Sequence, residues 1–413
     1  MRKAVKARIY PNEEQKQLLA KQFGCSRFWW NRSLALQYKH RASNGRWLKR
    51  TELNAMLPQL KKELPWLKTD CYSQVLQATS KHLEQALKNW FEGRAKKPRF
   101  KAKVNRQSIS FPQNVLVIGN QTGDTSSGNK FQRRALIKVP KIGLIDAVIK
   151  RKIEGIIKTV TLSITPSGKY FASISLDDEL PELESSTDGI VTGVDLGLKD
   201  YVYCHDGDNS YSVKHPKWLK RHEHNLKRHQ KQLSRRKKGS NRRRKARKLV
   251  ARVHEKLANA RQDFMHKLSK RITDESQVVA VESLNIRGML KNSRLSKAIA
   301  QSGWGTFLNF LDYKLKKKGG VLVEVDRFFP SSKLCSCCGH KYKELALSER
   351  IWTCKQCSTT HIRDEVAAQN IRTEGMRILG LGHSPRGDDV RLETCFEQSS
   401  VKRVPSYEQL TLF

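Results

Sequence analysis

Apolar and polar residues alternate in KAVKARIYP (residues 3–11), which predicts a β-strand ending at Pro11. The period then changes. NEEQKQLLAKQFGCSRFWWNRSLALQYKH (12–40) has helical spacing, with Asn12 as its cap and Glu13 and Glu14 in the first turn. Trp29 and Trp30 fall among its core positions. Helical patterns continue through TELNAMLPQLKKEL and CYSQVLQATSKHLEQALKNWFEG, and then Pro98 breaks the basic stretch RAKKPRFKAK (94–103). From about residue 108 the period returns to two. SISFPQNVLVIG and RRALIKVPKIGLIDAVI predict short strands, and KTVTLSITPSGKYFASISLDDE predicts a hairpin turned at Pro166-Ser167-Gly168. One strand before the helices and several after them predict a small β-barrel (1–11 with 108–180). A helical module (12–107) would be inserted behind its first strand.

ELPELESSTDG (179–189) is acidic and polar, a linker. GIVTGVDLGLKDYVYCHDG predicts a buried strand, a tight glycine turn and a second strand. A long helical hairpin follows, about 215–271, turned at Gly239-Ser240-Asn241. Leu219, Leu226 and Leu233 recur by seven, and Leu249, Val253 and Leu257 by four, so each arm carries one apolar stripe. QVVAVESLNI predicts a buried strand, GTFLNFLDYKLKKKGG a helix, VLVEVDRF a strand and RDEVAAQNIRTEGMRILG a last helix. Beyond residue 380 no period survives, and 380–413 is expected to be a disordered tail. The whole reads as a multidomain α/β protein.

Charge narrows the function. The 413 residues carry 80 Lys+Arg against 39 Asp+Glu, a formal charge of +41. Such a chain repels itself unless it binds a polyanion, and nucleic acid is the expected partner over a ribosomal-type or membrane-surface role. Residues 217–256 hold 18 Lys/Arg against two acids, Glu223 and Glu255. This imbalance points to phosphate contact along the hairpin. The first residues lack the apolar core of a signal peptide, and no apolar run approaches the roughly 18 residues needed to span a membrane. A soluble, cytoplasmic protein in a reducing compartment is expected, so its nine cysteines are thiols or metal ligands before disulfides.

Two constellations carry chemistry. Cys335-x-x-Cys338 and Cys354-x-x-Cys357 are separated by 15 residues, which suits a closed tetrahedral Zn²⁺ site. Gly339 allows the turn such a knuckle needs. Cys337 is off register, and His340 and His361 are unneeded as ligands. The second constellation is three acids. Asp195 (VTGVDLGL) and Glu282 (VVAVESLNI) each sit in an apolar strand, where an acid is costly unless paired or metal-bound. Asp364 opens the last helix. Separately they could be a turn residue, a salt-bridged rim acid and an N-cap. Together they make a site for two Mg²⁺ ions in phosphodiester cleavage. Glu324 and Asp326 are similar acids of lower rank, because VLVEVDRF can turn them to solvent.

In order, GVDLGLKD, VVAVESLNIRGML and SSKLCSCCG…WTCKQC…HIRDEVAAQNI resemble TnpB, the transposon-encoded nuclease family regarded as ancestral to type V CRISPR effectors. KARIYPNEEQKQLLAKQFGCSRFWWN and KKPRFKAK extend the resemblance over nearly the whole chain. It implies a RuvC-like nuclease domain of RNase H fold (189–334 and 358–379) split by the helical hairpin and by the zinc knuckle (335–357). It also implies that the N-terminal barrel is a wedge and the helices a recognition module. The implied activity is RNA-guided cleavage of double-stranded DNA, with a guide RNA from the transposon end and a short motif beside the target. Asp195, Glu282 and Asp364 match the family's catalytic triad. Three flanking positions depart from its pattern: Ile362 for Asp, Val366 for Asn and Ser358 for Gly.

Candidate nucleic-acid contacts are Asn31, Arg32, Lys39 and Arg50 in the helical module and Arg99 and Lys101 in the basic stretch. Arg235, Arg236, Arg242 and Arg243 are the candidates in the hairpin. Arg363 is placed either to reach the scissile phosphate or to pair with a nearby acid. The alternatives are a DNA transposase using the same acids and a guide-dependent DNA-binding repressor. A transposase usually works as a multimer; monomer and dimer both stay open for this chain.

Overall fold

A computed structural model describes residues 2–104, 106–119, 134–151, 153–177, 183–342, 345–346 and 349–381. Most of the expected tail and part of the acidic linker lie outside them. The chain divides into two compact units, residues 1–181 with 233–252, and residues 182–232 with 253 onward.

In the first unit β1 (Arg2–Tyr10) leads into α1 (Glu13–Asn44). The Asn12 side chain accepts the Gln15 N–H (2.8 Å) and the Gln15 side chain accepts the Asn12 N–H (3.1 Å), a capping box. Then come α2 (Arg50–Ala55), α3 (Leu57–Glu63), α4 (Pro65–Thr69) and α5 (Ser73–Phe91). Six strands follow: β2 (Gln107–Phe111), β3 (Leu116–Ile118), β4 (Arg134–Val139), β5 (Gly143–Val148), β6 (Ile156–Ile164) and β7 (Tyr170–Asp177).

The seven strands form one antiparallel sheet in the order β2-β6-β7-β1-β5-β4-β3. β1 precedes the helices yet lies between β7 and β5, so the helices are an insertion between strands of one sheet. Among the described residues no pairing joins β2 to β3, so the sheet is open where a barrel was expected. α1 and α5 pack on the edge strand β2, which protects an edge without closure. Trp29, Leu34 and Leu76 of the helices share one buried core with Phe111, Val160 and Ile174 of the strands.

The second unit begins with β8 (Val191–Leu196), β9 (Asp200–His205) and β10 (Ser210–Lys214). The long helices α6 (Trp218–Ser234) and α7 (Asn241–Glu275) follow, their residues 233–252 being counted with the first unit, then β11 (Val278–Glu282), α8 (Ile286–Met289), α9 (Ser296–Ser302), α10 (Trp304–Lys317) and β12 (Val321–Val325). The chain ends its described part with β13 (Ile351–Thr353), β14 (Thr360–Ile362) and α11 (Arg363–Ile378).

The main sheet has the order β10-β9-β8-β11-β12. β11 runs parallel to β8 and β12, while β9 is antiparallel to both its neighbours. Its central strands are apolar on both faces because both faces are covered. Val194, Val279 and Val281 pack with Met265 and Ile272 of α7 and with Phe307 and Leu311 of α10. Val191, Val278 and Ala280 lie on the other face, with Met376 and Ile371 of α11.

Candidate active site

Strand alternation decides where the acids point. On β8, Val191, Gly193 and Asp195 share the α11 face. On β11, Val278, Ala280 and Glu282 do the same. Val281 registers with Val194, so Glu282 and Asp195 stand one step further along adjacent strands, at their carboxyl ends. α11 crosses this face, and its first turn carries Asp364 and Glu365.

The helix comes very close to the sheet. A Cβ added to Gly193 would lie 2.0 Å from the Ala368 carbonyl oxygen, so only glycine fits there. The Arg372 Nε donates to the Val191 oxygen (2.8 Å), and the Asn370 amide donates to the carbonyls of Ser331 and Leu334 (2.7 Å each).

Electrostatics register the convergence. Burial, then the charges of Glu282 and Asp364, push the Asp195 carboxyl up to about 7, and Arg363 acts against them. Burial also raises the Glu282 carboxyl. A buried carboxyl whose charge two neighbouring acids oppose is one that divalent cations would relieve. Asp364 is engaged by protein: the Arg350 Nη1 donates to its two oxygens at 2.8 and 3.0 Å. Among the described residues, therefore, the three carboxylates do not form a closed metal-ligand cluster of the kind the cysteines do.

Arg350 was not foreseen. It lies in the stretch between the cysteine pairs, where the sequence has no period. Tyr203 was also missed. It registers with Asp195, and burial, then the charge of Glu365, raises its phenol; Glu365 itself accepts a hydrogen bond from the Ser210 hydroxyl (2.6 Å). Asp364 is not an N-cap: that position is Ile362, and no side chain caps the helix. Glu324 lies on the sheet face opposite the three acids, with its Oε1 buried rather than turned to solvent, and Asp326 Oδ1 accepts the Phe328 N–H.

The Sγ atoms of Cys335, Cys338, Cys354 and Cys357 all lie within 4.8 Å of one another. Cys335 to Cys357 is 3.5 Å and Cys338 to Cys354 is 3.6 Å. Tetrahedral Zn–S bonds of about 2.3 Å would set sulfurs about 3.8 Å apart, so the cluster fits zinc. Two similar turns hold it. The Gly339 N–H donates to the Cys335 oxygen and the Ser358 N–H to the Cys354 oxygen, both at 3.0 Å and both at positive φ. Ser358 thus takes a left-handed conformation that glycine takes more cheaply. His361 Nε2 lies 3.0 Å from the Cys335 Sγ, beside the four thiols rather than among them. Cys337 is exposed. Val366 of α11 is buried with Cys335, Leu345, Trp352 and Cys354, so the ribbon and the helix share one core.

The expected nucleic-acid residues divide by environment. Arg32, Lys39, Arg99, Arg235, Arg236 and Arg242 are exposed. Lys101 is exposed too, with its Nζ over the Trp30 ring at 3.6 Å. Asn31 clamps the Lys101 backbone (3.0 and 2.7 Å), and Arg50 pairs with Glu84 (3.5 Å). Arg243 donates to the carbonyls of Leu233 (2.9 Å) and Arg236 (2.7 Å), satisfying groups that the end of α6 leaves open. The Arg363 Nη1 donates to the Ala346 oxygen (3.2 Å).

Three family models match the chain: OrfB_IS605, described as "Probable transposase", over residues 173–293; "Cas12f1-like, TNB domain" over 304–371; and "Helix-turn-helix domain" over 1–46. A "Putative RNA-guided DNA endonuclease" of Streptomyces pristinaespiralis is 34% identical over 410 residues, spanning 98% of this chain and 96% of that protein. InsQ of Escherichia coli K12, named in the same words, is 29% identical over 401 residues, spanning 92% and 94%. The solved Cas12f1–sgRNA–target DNA complex covers 90% of this chain and 99% of that one at 16% identity, but its TM-score of 0.36 adds nothing on the fold. With 34% identity along 98% of its length to one of these relatives, the chain belongs to the TnpB family.

Proposed function

We propose that this protein is an RNA-guided endonuclease that cuts double-stranded DNA beside a short transposon-adjacent motif, with Asp195, Glu282 and Asp364 as catalytic residues. The observation that carries the reading is the convergence of three acids on the α11 face of one sheet, where Glu282 and Asp364 raise the cost of charging the buried Asp195. Two Mg²⁺ ions at these carboxylates would activate water and stabilise the leaving oxygen. Asp195 and Glu282 offer oxygens from adjacent strand ends. Asp364 shares its oxygens with the Arg350 guanidinium, so arginine and cation would compete for one carboxylate.

The relatives' names supply the guide and the DNA. The strand order of the second unit supports a RuvC-like, RNase H-type domain, and the +41 charge suits RNA and DNA together. Base pairing would then choose the target, while the protein reads duplex shape and the short motif. The transposase description attaches to residues 173–293 alone, whereas the endonuclease names belong to relatives matching nearly the whole chain.

The test is purification from the native locus. The protein should carry a discrete RNA whose 3′ part matches DNA beside the element, and Asp195→Ala should abolish cutting while target binding persists. Equal cutting before and after removal of the RNA would sink the guided reading.

A further inference from the structure

β12 ends at Val325, which registers with Glu282, and the Ser283 N–H donates to the Val325 oxygen (2.9 Å). The chain that leaves β12 here therefore emerges beside a candidate catalytic acid. It is held at both ends. Asp326 Oδ1 accepts the Phe328 N–H (2.7 Å), and the Phe329 N–H donates to the Asp326 oxygen (3.0 Å). Phe329 packs on Ala280, Val325 and Ile371. Beyond Pro330, the carbonyls of Ser331 and Leu334 are tied to Asn370 of α11.

Between these anchors Phe328 is left outside. It is 83% exposed, the most exposed large hydrophobic residue among those described. A mobile loop could fold such a ring away; this loop is pinned and presents it. The Arg327 guanidinium lies 5.3 Å from the ring centroid, so the platform carries positive charge on a polyanion-binding chain. Three residues of extended chain and one strand spacing put Phe328 within roughly 15 Å of Glu282.

We propose that Phe328 is a stacking platform for an unpaired base of the DNA strand that enters the carboxylate site, with Arg327 on the adjoining phosphate or ring. The proposal rests on the endonuclease reading above. Phenylalanine has no polar atom, so it holds a base by its face without selecting which base. That suits a protein whose sequence choice is made by a guide. The stack holds one point of a flexible strand a few nucleotides from the cut, which limits how far the scissile phosphate can wander.

The full RNA-loaded chain tests this in two ways. The first uses the Asp195→Ala variant and target DNA with 5-iodouracil placed at successive positions of each strand. Irradiation should join one position to the peptide carrying Phe328. The second measures cutting by the active protein. Phe328→Ala should lower the maximal rate by roughly 5- to 100-fold with little change in target binding, and Phe328→Trp should restore it. Phe328→Ala with wild-type constants, or intact target binding with no adduct in residues 326–330, overturns the platform. If the Asp195→Ala complex cross-links at Phe328 but the wild-type chain loaded with the same RNA does not cut, the platform stands and the endonuclease reading is overturned.

Discussion

At the scale of single residues, Asp195 was the easiest to find and Arg350 the hardest. An acid in VTGVDLGL stands out because burying a lone carboxylate is costly. Arg350 sits in an aperiodic stretch, and its partner Asp364 is 14 residues away across the cysteine ribbon. Val366, a departure from the family pattern, proves to be a core residue of that ribbon, whereas Ile362 is half exposed. The Asp195 environment yields a pH prediction. Its carboxyl is raised from 3.8 to about 7 in the folded chain. Between those values the folded state holds a proton that the unfolded state has lost. Stability therefore falls as pH rises through that window, and above it the loss is complete. In chelator, Asp195→Asn should be more stable than the wild type at pH 8 by roughly 1–3 kcal/mol, and the gain should vanish near pH 4. Mg²⁺ should then stabilise the wild type and leave Asp195→Asn unmoved. Thermal unfolding across pH, with and without Mg²⁺, measures both effects; a gain independent of pH would mean that Asp195 is not held neutral.

Among the elements, those with a marked period or an apolar run were legible and the others were not. Both arms of the helical hairpin, β8, β9, β11, β12 and α11 follow the sequence pattern. β10 escaped because SYSVK carries only two apolar residues, whereas the equally short β11 and β12 are marked by runs of valine, and α8 and α9 are too short to show a period. The seating of α11 was hidden for another reason. Nothing in VTGVDLGL marks Gly193, and only the packing reveals that a helix backbone occupies the place of its side chain. Gly193→Ala must displace α11, and a shift of about 1 Å at a reacting group can cost roughly 100-fold in rate. We expect guided cleavage to fall by at least that factor while the RNA stays bound. Single-turnover cleavage beside RNA retention separates the two effects. Cutting at the wild-type rate would show that the close seating of α11 on Gly193 does not set the position of Asp364.

For the molecule as a whole, charge was the first clue, but charge does not assign roles to individual arginines. Arg235, Arg236 and Arg242 are exposed near the turn of the helical hairpin, while Arg243 closes the turn itself by holding the Leu233 and Arg236 carbonyls. All four looked alike in RRKKGSNRRRK, since a guanidinium that caps a helix and one that meets phosphate have the same sequence signature. Salt tells them apart. Each arginine on a phosphate releases counterions, so the logarithm of affinity falls with the logarithm of salt by about 0.9 per contact. Replacing Arg235, Arg236 and Arg242 together by Gln should lower that slope by up to about 3 for duplex DNA. Arg243→Gln alone should change the slope by less than one contact and instead loosen the hairpin turn, exposing its amides to faster hydrogen exchange. Anisotropy titrations over a salt series provide the slopes. If the triple variant keeps the wild-type slope, these arginines form a solvated surface, and the polyanion that +41 requires is held elsewhere on the chain.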